Sequence, residues 1–321
     1  MKTDFCNSLI SVEDLSKLDW LLYRQKGIGG SDISSICGIN PYKSALTLYY
    51  EKTAEIKENE EENIAMEMGT YLEPFLKGKF EKWFKNNEGT DIKVDKIPYI
   101  LQHPTDLIAL ANVDGVFLHP VKGDCIVEYK TTSERNYKEW EGDKLPDYYY
   151  LQCQWYMYAT NFKYCYLAFL IGNRKFDVKI IERNEEVIAN IAKQANDFWN
   201  NFIIPKLPPA PDGTESSKEV LEKLYPKEEE GKVITIEDSS EMKIIFNALE
   251  QLKIAKKEAE LGIEEANQTL KAKMGTAEIA LCGDKKITWK EVIKKEYIVK
   301  ASKYRMFKIS NIKGGNGKND D

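Results

Sequence analysis

The sequence predicts an α/β chain with a helical and partly β C-terminal extension. Three observations carry this. Residues 11–56 and 66–87 have helical texture, whereas 92–130 switch to short apolar runs broken by turn residues. The aromatic segment "PDYYYLQCQWYMYAT" separates those runs from a second strand-like pair. The Pro-rich "IPKLPPAPDG" then ends the first region, and a long helical pattern follows over roughly 238–274.

In chain order, "SVEDLSKLDWLLYRQK" opens with Ser11 and an acid three residues later, a plausible helix start. "GIGG" breaks the pattern and "SDISSICGIN" restarts it, with Ser31 or Asp32 as cap; "NPYKSALTLYYEK" supplies a turn and another helix. "EKTAEIKENEEEN" is polar and reads as an exposed loop. In "MEMGTYLEPFLKGKFEKWFKNN", Leu72, Phe75 or Leu76, Phe80 and Trp83 or Phe84 recur near a 3.6-residue period, so it reads as an amphipathic helix with Pro74 near its first turn or at a kink. "IALANVDGVFL" and "DCIVEYKTT" flank the turn "HPVKGD" as a strand pair, and "YCYLAFLIGN" and "KFDVKIIER" form another. "EEVIANIAKQANDFWNNFI" is a further helix. The chain divides into a domain over 1–210, an extension over 211–313 and a disordered tail over 314–321.

Composition narrows the chemistry. Of 321 residues 42% are hydrophobic and 11% aromatic, enough for a buried core. No run approaches the roughly 18 apolar residues of a membrane helix. The first residues lack a basic region followed by an apolar core, so no signal peptide is expected. Cys6, Cys37, Cys125, Cys153, Cys165 and Cys282 are scattered without CxxC pairs, which fits reduced thiols in a cytoplasmic protein. With only His103 and His119 available, both read as structural, a metal is expected on oxygen ligands, as Mg²⁺ or Mn²⁺. The net charge is −6, yet Lys285 to Lys318 carries a local +9, leaving −15 on the rest. Nucleic acid therefore remains a possible partner, against an uneven but inert surface.

The candidate site lies in "VDGVFLHPVKGDCIVEYKTT". On a strand Glu128 and Lys130 project together while Tyr129 points away. If "ANVDGV" and "CIVEYK" pair, Asp114 lies beside Glu128. Two adjacent carboxylates repel unless a cation neutralises them, and a divalent metal with a neighbouring lysine suits phosphodiester hydrolysis. The bland alternative is alternating charge on a half-exposed hairpin. The apolar flanks weigh against it, because unpaired charges in a buried strand pair are costly.

Four segments in order then resemble the YqaJ-type viral recombinase family, which includes phage lambda exonuclease and belongs to the restriction-endonuclease-like PD-(D/E)XK nucleases. They are "WLLYRQKGIGGSDISSICGINPYKS", "GTYLEPFLKGKF", "VDGVF…VEYKTT" and "YYLQCQWYMYAT". The resemblance spans about residues 15–205 and implies a restriction-endonuclease-like core, a mixed β-sheet flanked by helices. It implies that Asp114 and Glu128 ligate Mg²⁺, with the Tyr129 backbone carbonyl a possible third ligand. Lys130 is then the catalytic lysine, Glu73 a metal or water ligand, and Gln152 the helix glutamine that positions Lys130 or the substrate, with Gln154 the weaker candidate. Arg24 and Ser31 match a pair that holds a terminal 5′-phosphate, and a guanidinium beside a hydroxyl makes physical sense there. Each has a structural alternative: Glu73 as a first-turn helix acid, Gln152 as a core amide, Arg24 as a surface ion-pair partner, and Gly27, Gly29 and Gly30 as a turn.

The resemblance further implies a 5′→3′ exonuclease acting on double-stranded DNA ends in a bacterial cell, of phage or prophage origin. It implies a RecT-like annealing partner and a trimeric ring. Some relatives hold an iron–sulfur cluster, but no cysteine lies between Cys165 and Cys282, so none is expected. The alternatives are an endonuclease on the same fold and a non-catalytic DNA-end-binding module. In the extension, the basic stretch with Trp289, Tyr297, Tyr304 and Phe307 either contacts DNA or forms a lysine-faced hairpin docked elsewhere.

Overall fold

The computed structural model describes residues 6–12, 15–55, 64–294 and 304–310. The chain divides into two compact units, Met1–Leu224 and Tyr225–Asp321.

The first unit opens on strand β1 (Asn7–Ser11), then helices α1 (Lys17–Gln25), α2 (Gly30–Ile36), α3 (Ala45–Thr53) and α4 (Ile64–Glu88). Strands β2 (Tyr99–Gln102), β3 (Leu110–Ala111), β4 (Gly115–His119) and β5 (Gly123–Thr132) precede α5 (Asp147–Thr160). Strands β6 (Tyr164–Ile171) and β7 (Lys175–Glu182) lead into α6 (Glu185–Phe198), a π turn over Trp199–Ile203, and α7 (Glu215–Leu224). Strands β4-β5-β6-β7 form a mixed sheet in that order, with β5 and β6 parallel and the outer pairs antiparallel. A smaller antiparallel sheet runs β1-β2-β3. This is the mixed α/β architecture that the sequence predicts.

Alternation on the central strands divides the core into two layers. Cys125, Val127, Tyr129, Tyr166 and Ala168 pack against Leu76, Phe80 and Phe84 of α4. Ile126, Leu167 and Phe169 face the other way, with Cys153, Trp155 and Met157 of α5 in the same cluster. The Trp155 indole N–H donates to the carbonyls of Ile28 and Leu110, tying α5 to the backbone bridge between Ile28 and Ala109.

Several local expectations shift. Ser11 ends β1 instead of starting a helix. Ser16 is the cap, accepting from the Asp19 N–H at 3.1 Å, so the Ser-x-x-acid pattern operates five residues later. The cap of α2 is Gly29 rather than Ser31 or Asp32, because the Asp32 carboxylate turns back to accept the Gly29 N–H. Pro74 lies well inside α4, where a proline costs about 3 kcal/mol. Complete burial of Phe80 and Phe84 and near-complete burial of Leu76, each worth about 1.5–3 kcal/mol, outweighs that cost. "IALANVDGVFL" is two strands, β3 and β4, with Asn112 to Asp114 between them. Residues 56–63 of the polar loop and the 314–321 tail lie outside the described residues.

The second unit contains helix α8 (Ser240–Met274) and a hairpin of β8 (Ile279–Cys282) and β9 (Lys285–Thr288). Ser239 caps α8 by accepting the Met242 N–H, and Gly275, at φ 56°, ends it. The Trp289, Tyr304 and Phe307 side chains are exposed, and Tyr297 lies outside the described residues. Among the described residues no helix is long and apolar enough to cross a membrane.

Candidate active site

Strand β5 sets the site. Its ladder with β4 pairs Gly115 with Val127, so the next step of the hairpin brings Asp114 opposite Glu128. The Asp114 Oδ2 accepts the Tyr129 N–H at 2.8 Å, which fixes the carboxylate where β4 begins. Gly115 is required at this point: a Cβ there would meet the Val94 side chain at 2.5 Å. Glu128 and Lys130 share the face towards α5, and the Lys130 Nζ donates to Glu128 Oε1 at 2.5 Å. The same oxygen accepts the Gln152 amide N–H at 2.6 Å, and the Gln152 amide also donates to the Tyr156 hydroxyl at 2.9 Å. Lys130 Nζ lies 5.2 Å from the centre of the Tyr149 ring.

Electrostatics mark this cluster as unusual. Burial, then the neighbouring Asp114 charge, pushes Glu128 up to about 8 despite Lys130. Burial also raises Asp114, with Lys130 opposing. Glu73 of α4 is half-buried and raised by burial and by Asp114, placing it electrostatically beside the pair. Burial alone would lower Lys130, but Glu128 and Asp114 outweigh it and hold the ammonium above its ordinary value. Glu128 Oε2 is buried and has no hydrogen-bond partner. Two adjacent carboxylates, one with an oxygen that no protein donor satisfies, make a donor set suited to a hard divalent cation. Among the described residues no three His, Cys, Asp or Glu side chains gather as ligands of one ion, so backbone and water oxygens have to complete such a site.

A second cluster sits on α1 and α2. Arg24 Nη2 donates to Ser31 Oγ at 3.2 Å, and the guanidinium lies 4.7 Å over the Trp20 ring. A cleft beside it is lined by Arg24, Gly29, Ile100, Leu110, Ala111 and Asn112, the last two residues before Val113 and Asp114. The two clusters are connected. Gly30 passes so close to Tyr156 that an added Cβ would meet its ring at 2.5 Å, and Tyr156 in turn accepts from Gln152.

Every member of the first cluster stands out in the sequence except Tyr149 and Tyr156, which are hidden in an aromatic helix. Lys52, whose Nζ lies 2.7 Å from the Asp32 carboxylate inside the second cluster, does not. No spacing rule joins a lysine on α3 to an aspartate on α2. Gln154 faces elsewhere: it donates to the Glu182 carbonyl and accepts the Asn184 N–H. His103 accepts the Asp106 N–H and stacks on Tyr158, whereas His119 accepts two turn N–H groups beside Phe84. Neither contributes to the cluster.

A family model described as the YqaJ-like viral recombinase domain matches residues 19–163. The chain is 34% identical over 282 residues to uncharacterized protein YqaJ of Bacillus subtilis strain 168, covering 87% of this chain and 85% of that protein. Among solved structures it is similar to an alkaline exonuclease from Laribacter hongkongensis, with 19% identity and a TM-score of 0.47 over 64% of this chain and 98% of that one. A phage-related exonuclease from Haemophilus somnus 129PT gives 14% identity and a TM-score of 0.35 over 56% of this chain and 96% of that chain.

Proposed function

The chain belongs to the family of proteins with a YqaJ-like viral recombinase domain, and we propose that it is a divalent-metal-dependent exonuclease degrading one strand of linear duplex DNA in the 5′→3′ direction. The observation that carries this reading is the adjacent Asp114–Glu128 pair, Glu128 buried and Asp114 half-buried, with Lys130 on the Glu128 strand face and an unsatisfied Glu128 oxygen. Asp114 and Glu128 would hold Mg²⁺, or Mn²⁺ in its place, with the Tyr129 backbone carbonyl as a further oxygen ligand and Glu73 reaching the ion through water. The bound ion supplies charge stabilisation at the phosphoryl oxygen and a water of lowered pKa.

The protein's own groups do the rest. The Lys130 ammonium, anchored by Glu128, orients the attacking water and faces the charge that develops on the phosphate. Gln152 holds the Glu128 oxygen that receives Lys130, so the lysine keeps its place as substrate enters. Attack at phosphorus breaks the P–O3′ bond. The leaving nucleotide takes a proton as its 3′-hydroxyl, and the shortened strand keeps a new 5′-phosphate. Arg24 and Ser31 receive that phosphate, which favours work from an end over internal cleavage. The product is a duplex with a 3′ single strand, the substrate of a RecT-like annealing partner, and the working assembly is a trimeric ring around DNA.

Digestion of end-labelled linear duplex tests the reading. It should require Mg²⁺, release label from 5′ ends, and run faster on 5′-phosphate than on 5′-hydroxyl ends. Degradation that persists in EDTA removes the metal site. Closed circular DNA cut as fast as linear DNA makes the enzyme an endonuclease, and tight end binding with no hydrolysis makes it a recruitment module.

A further inference from the structure

Arg24 has an acidic neighbour of opposite charge. Asp32 is buried, its side chain 1% exposed, and its Oδ1 lies 3.8 Å from Arg24 Nη2. An ion pair at that distance, with the acid buried and the guanidinium partly exposed, is an attraction above thermal energy. An arginine closed onto Asp32 would have little charge left for a ligand. The structure contains a competitor. Lys52 of α3, with its side chain 5% exposed, puts its Nζ 2.7 Å from Asp32 Oδ2 and donates to the Arg24 backbone carbonyl at 2.8 Å. The same Oδ2 accepts the Gly29 N–H at 2.9 Å. Asp32 is thus occupied by Lys52 and by backbone. Arg24, Asp32 and Lys52 together carry one net positive charge, on the group that is 32% exposed beside Ser31.

Lys52 is not needed merely to join its helix to α1. Gln25 already does so, its amide donating to the carbonyls of Glu51 at 2.7 Å and Ala54 at 2.9 Å. A buried lysine at a junction already clasped by neutral hydrogen bonds calls for an electrostatic reason.

We propose that Lys52 is a positioning residue for Arg24: by occupying Asp32 and holding the Arg24 carbonyl, it keeps the guanidinium free to take the terminal 5′-phosphate of a DNA end. This rests on the assignment of Arg24 and Ser31 to that phosphate. It also explains why the cluster contains both an acid and a lysine. Asp32 fixes the Gly29 turn, and Lys52 removes the competing charge that Asp32 would otherwise present.

The test compares wild type, Lys52→Met, and Lys52→Met combined with Asp32→Asn, each as the full chain. Initial rates are measured on linear duplex bearing either a 5′-phosphate or a 5′-hydroxyl, with thermal unfolding followed alongside. Wild type should prefer the phosphorylated end. In Lys52→Met the Arg24 side chain closes onto Asp32, and the preference falls by about ten-fold or more, expressed mainly in KM. The double variant restores the net positive charge and recovers most of the preference. A merely structural lysine would instead slow both ends equally, and Asp32→Asn would not rescue it. If Lys52→Met alone does not fold, the double variant still decides: a folded double variant without phosphate preference overturns the proposal. Lys52→Met that keeps the wild-type preference overturns the role of Lys52 alone. A wild type indifferent to the phosphate overturns the Arg24 assignment, and the role of Lys52 with it.

Discussion

At the residue scale, strand alternation made Asp114, Glu128 and Lys130 legible, because a two-residue period forces Glu128 and Lys130 onto one face. Replacing Lys130 with Ala should lower kcat by about 10²–10³-fold, the usual effect of removing one donor to developing charge. DNA-end affinity, measured by anisotropy in Ca²⁺, should change little. Asp32 and Lys52 were not legible as a pair, since they lie on different helices in a chain that is 31% charged. Their pairing predicts a pH effect. Burial by itself raises the Asp32 pKa, but Lys52 and Arg24 outweigh it and hold the carboxyl well below the usual range. A carboxyl depressed on folding stabilises above its unfolded value, near about 4, and that contribution is lost as pH falls below it. The melting temperature of wild type should therefore fall more steeply between pH 6 and pH 3 than that of the Asp32→Asn, Lys52→Met double variant. Parallel curves would mean that Asp32 is not held ionised by the pair.

At the scale of elements, periodicity recovers the long helices and the strand pairs, because a buried face imposes its own repeat whatever the partner. The errors come at ends and joints. Ser11 and Ser16 offer similar cap chemistry, and only the pairing of β1 with β2 assigns the first to a strand. Gly27 looks like part of a flexible turn but is a packing requirement, since an added Cβ would lie 2.4 Å from the Ile108 carbonyl oxygen. That oxygen accepts the Ile28 N–H at 2.6 Å, so the backbones cannot separate without losing the bridge between Ile28 and Ala109. Gly27→Ala should cost about 2 kcal/mol or more by denaturant unfolding, towards the upper part of the range for overpacking. An alanine tolerated without loss would show that the bridge can yield.

At the scale of the molecule, a metal that binds only the folded state raises stability by linkage. With Mg²⁺ at about 100 times its dissociation constant, folding should gain about 2.7 kcal/mol, read as a rise in melting temperature. The rise should disappear in Asp114→Asn, which keeps the size of the side chain and removes its charge. A rise that survives the substitution would place the ion elsewhere. This readout is independent of hydrolysis and separates metal binding from catalysis.

By itself the sequence determined the α/β class, the order of its elements, the strand face carrying Glu128 and Lys130, and the family to which four ordered segments point. These are local properties: period, cap chemistry and motif spacing need only a few neighbouring residues. Only the tertiary structure decided that β5 runs parallel to β6 between two aromatic layers. It also decided that Gln152 and Tyr156 link Glu128 to the turn at Gly30, and that Lys52 bridges the Asp32 carboxylate and the Arg24 backbone carbonyl. Those relations join residues far apart in the chain. Which charge meets which is settled by the packing of helices that fill the same core, and no local repeat encodes that choice.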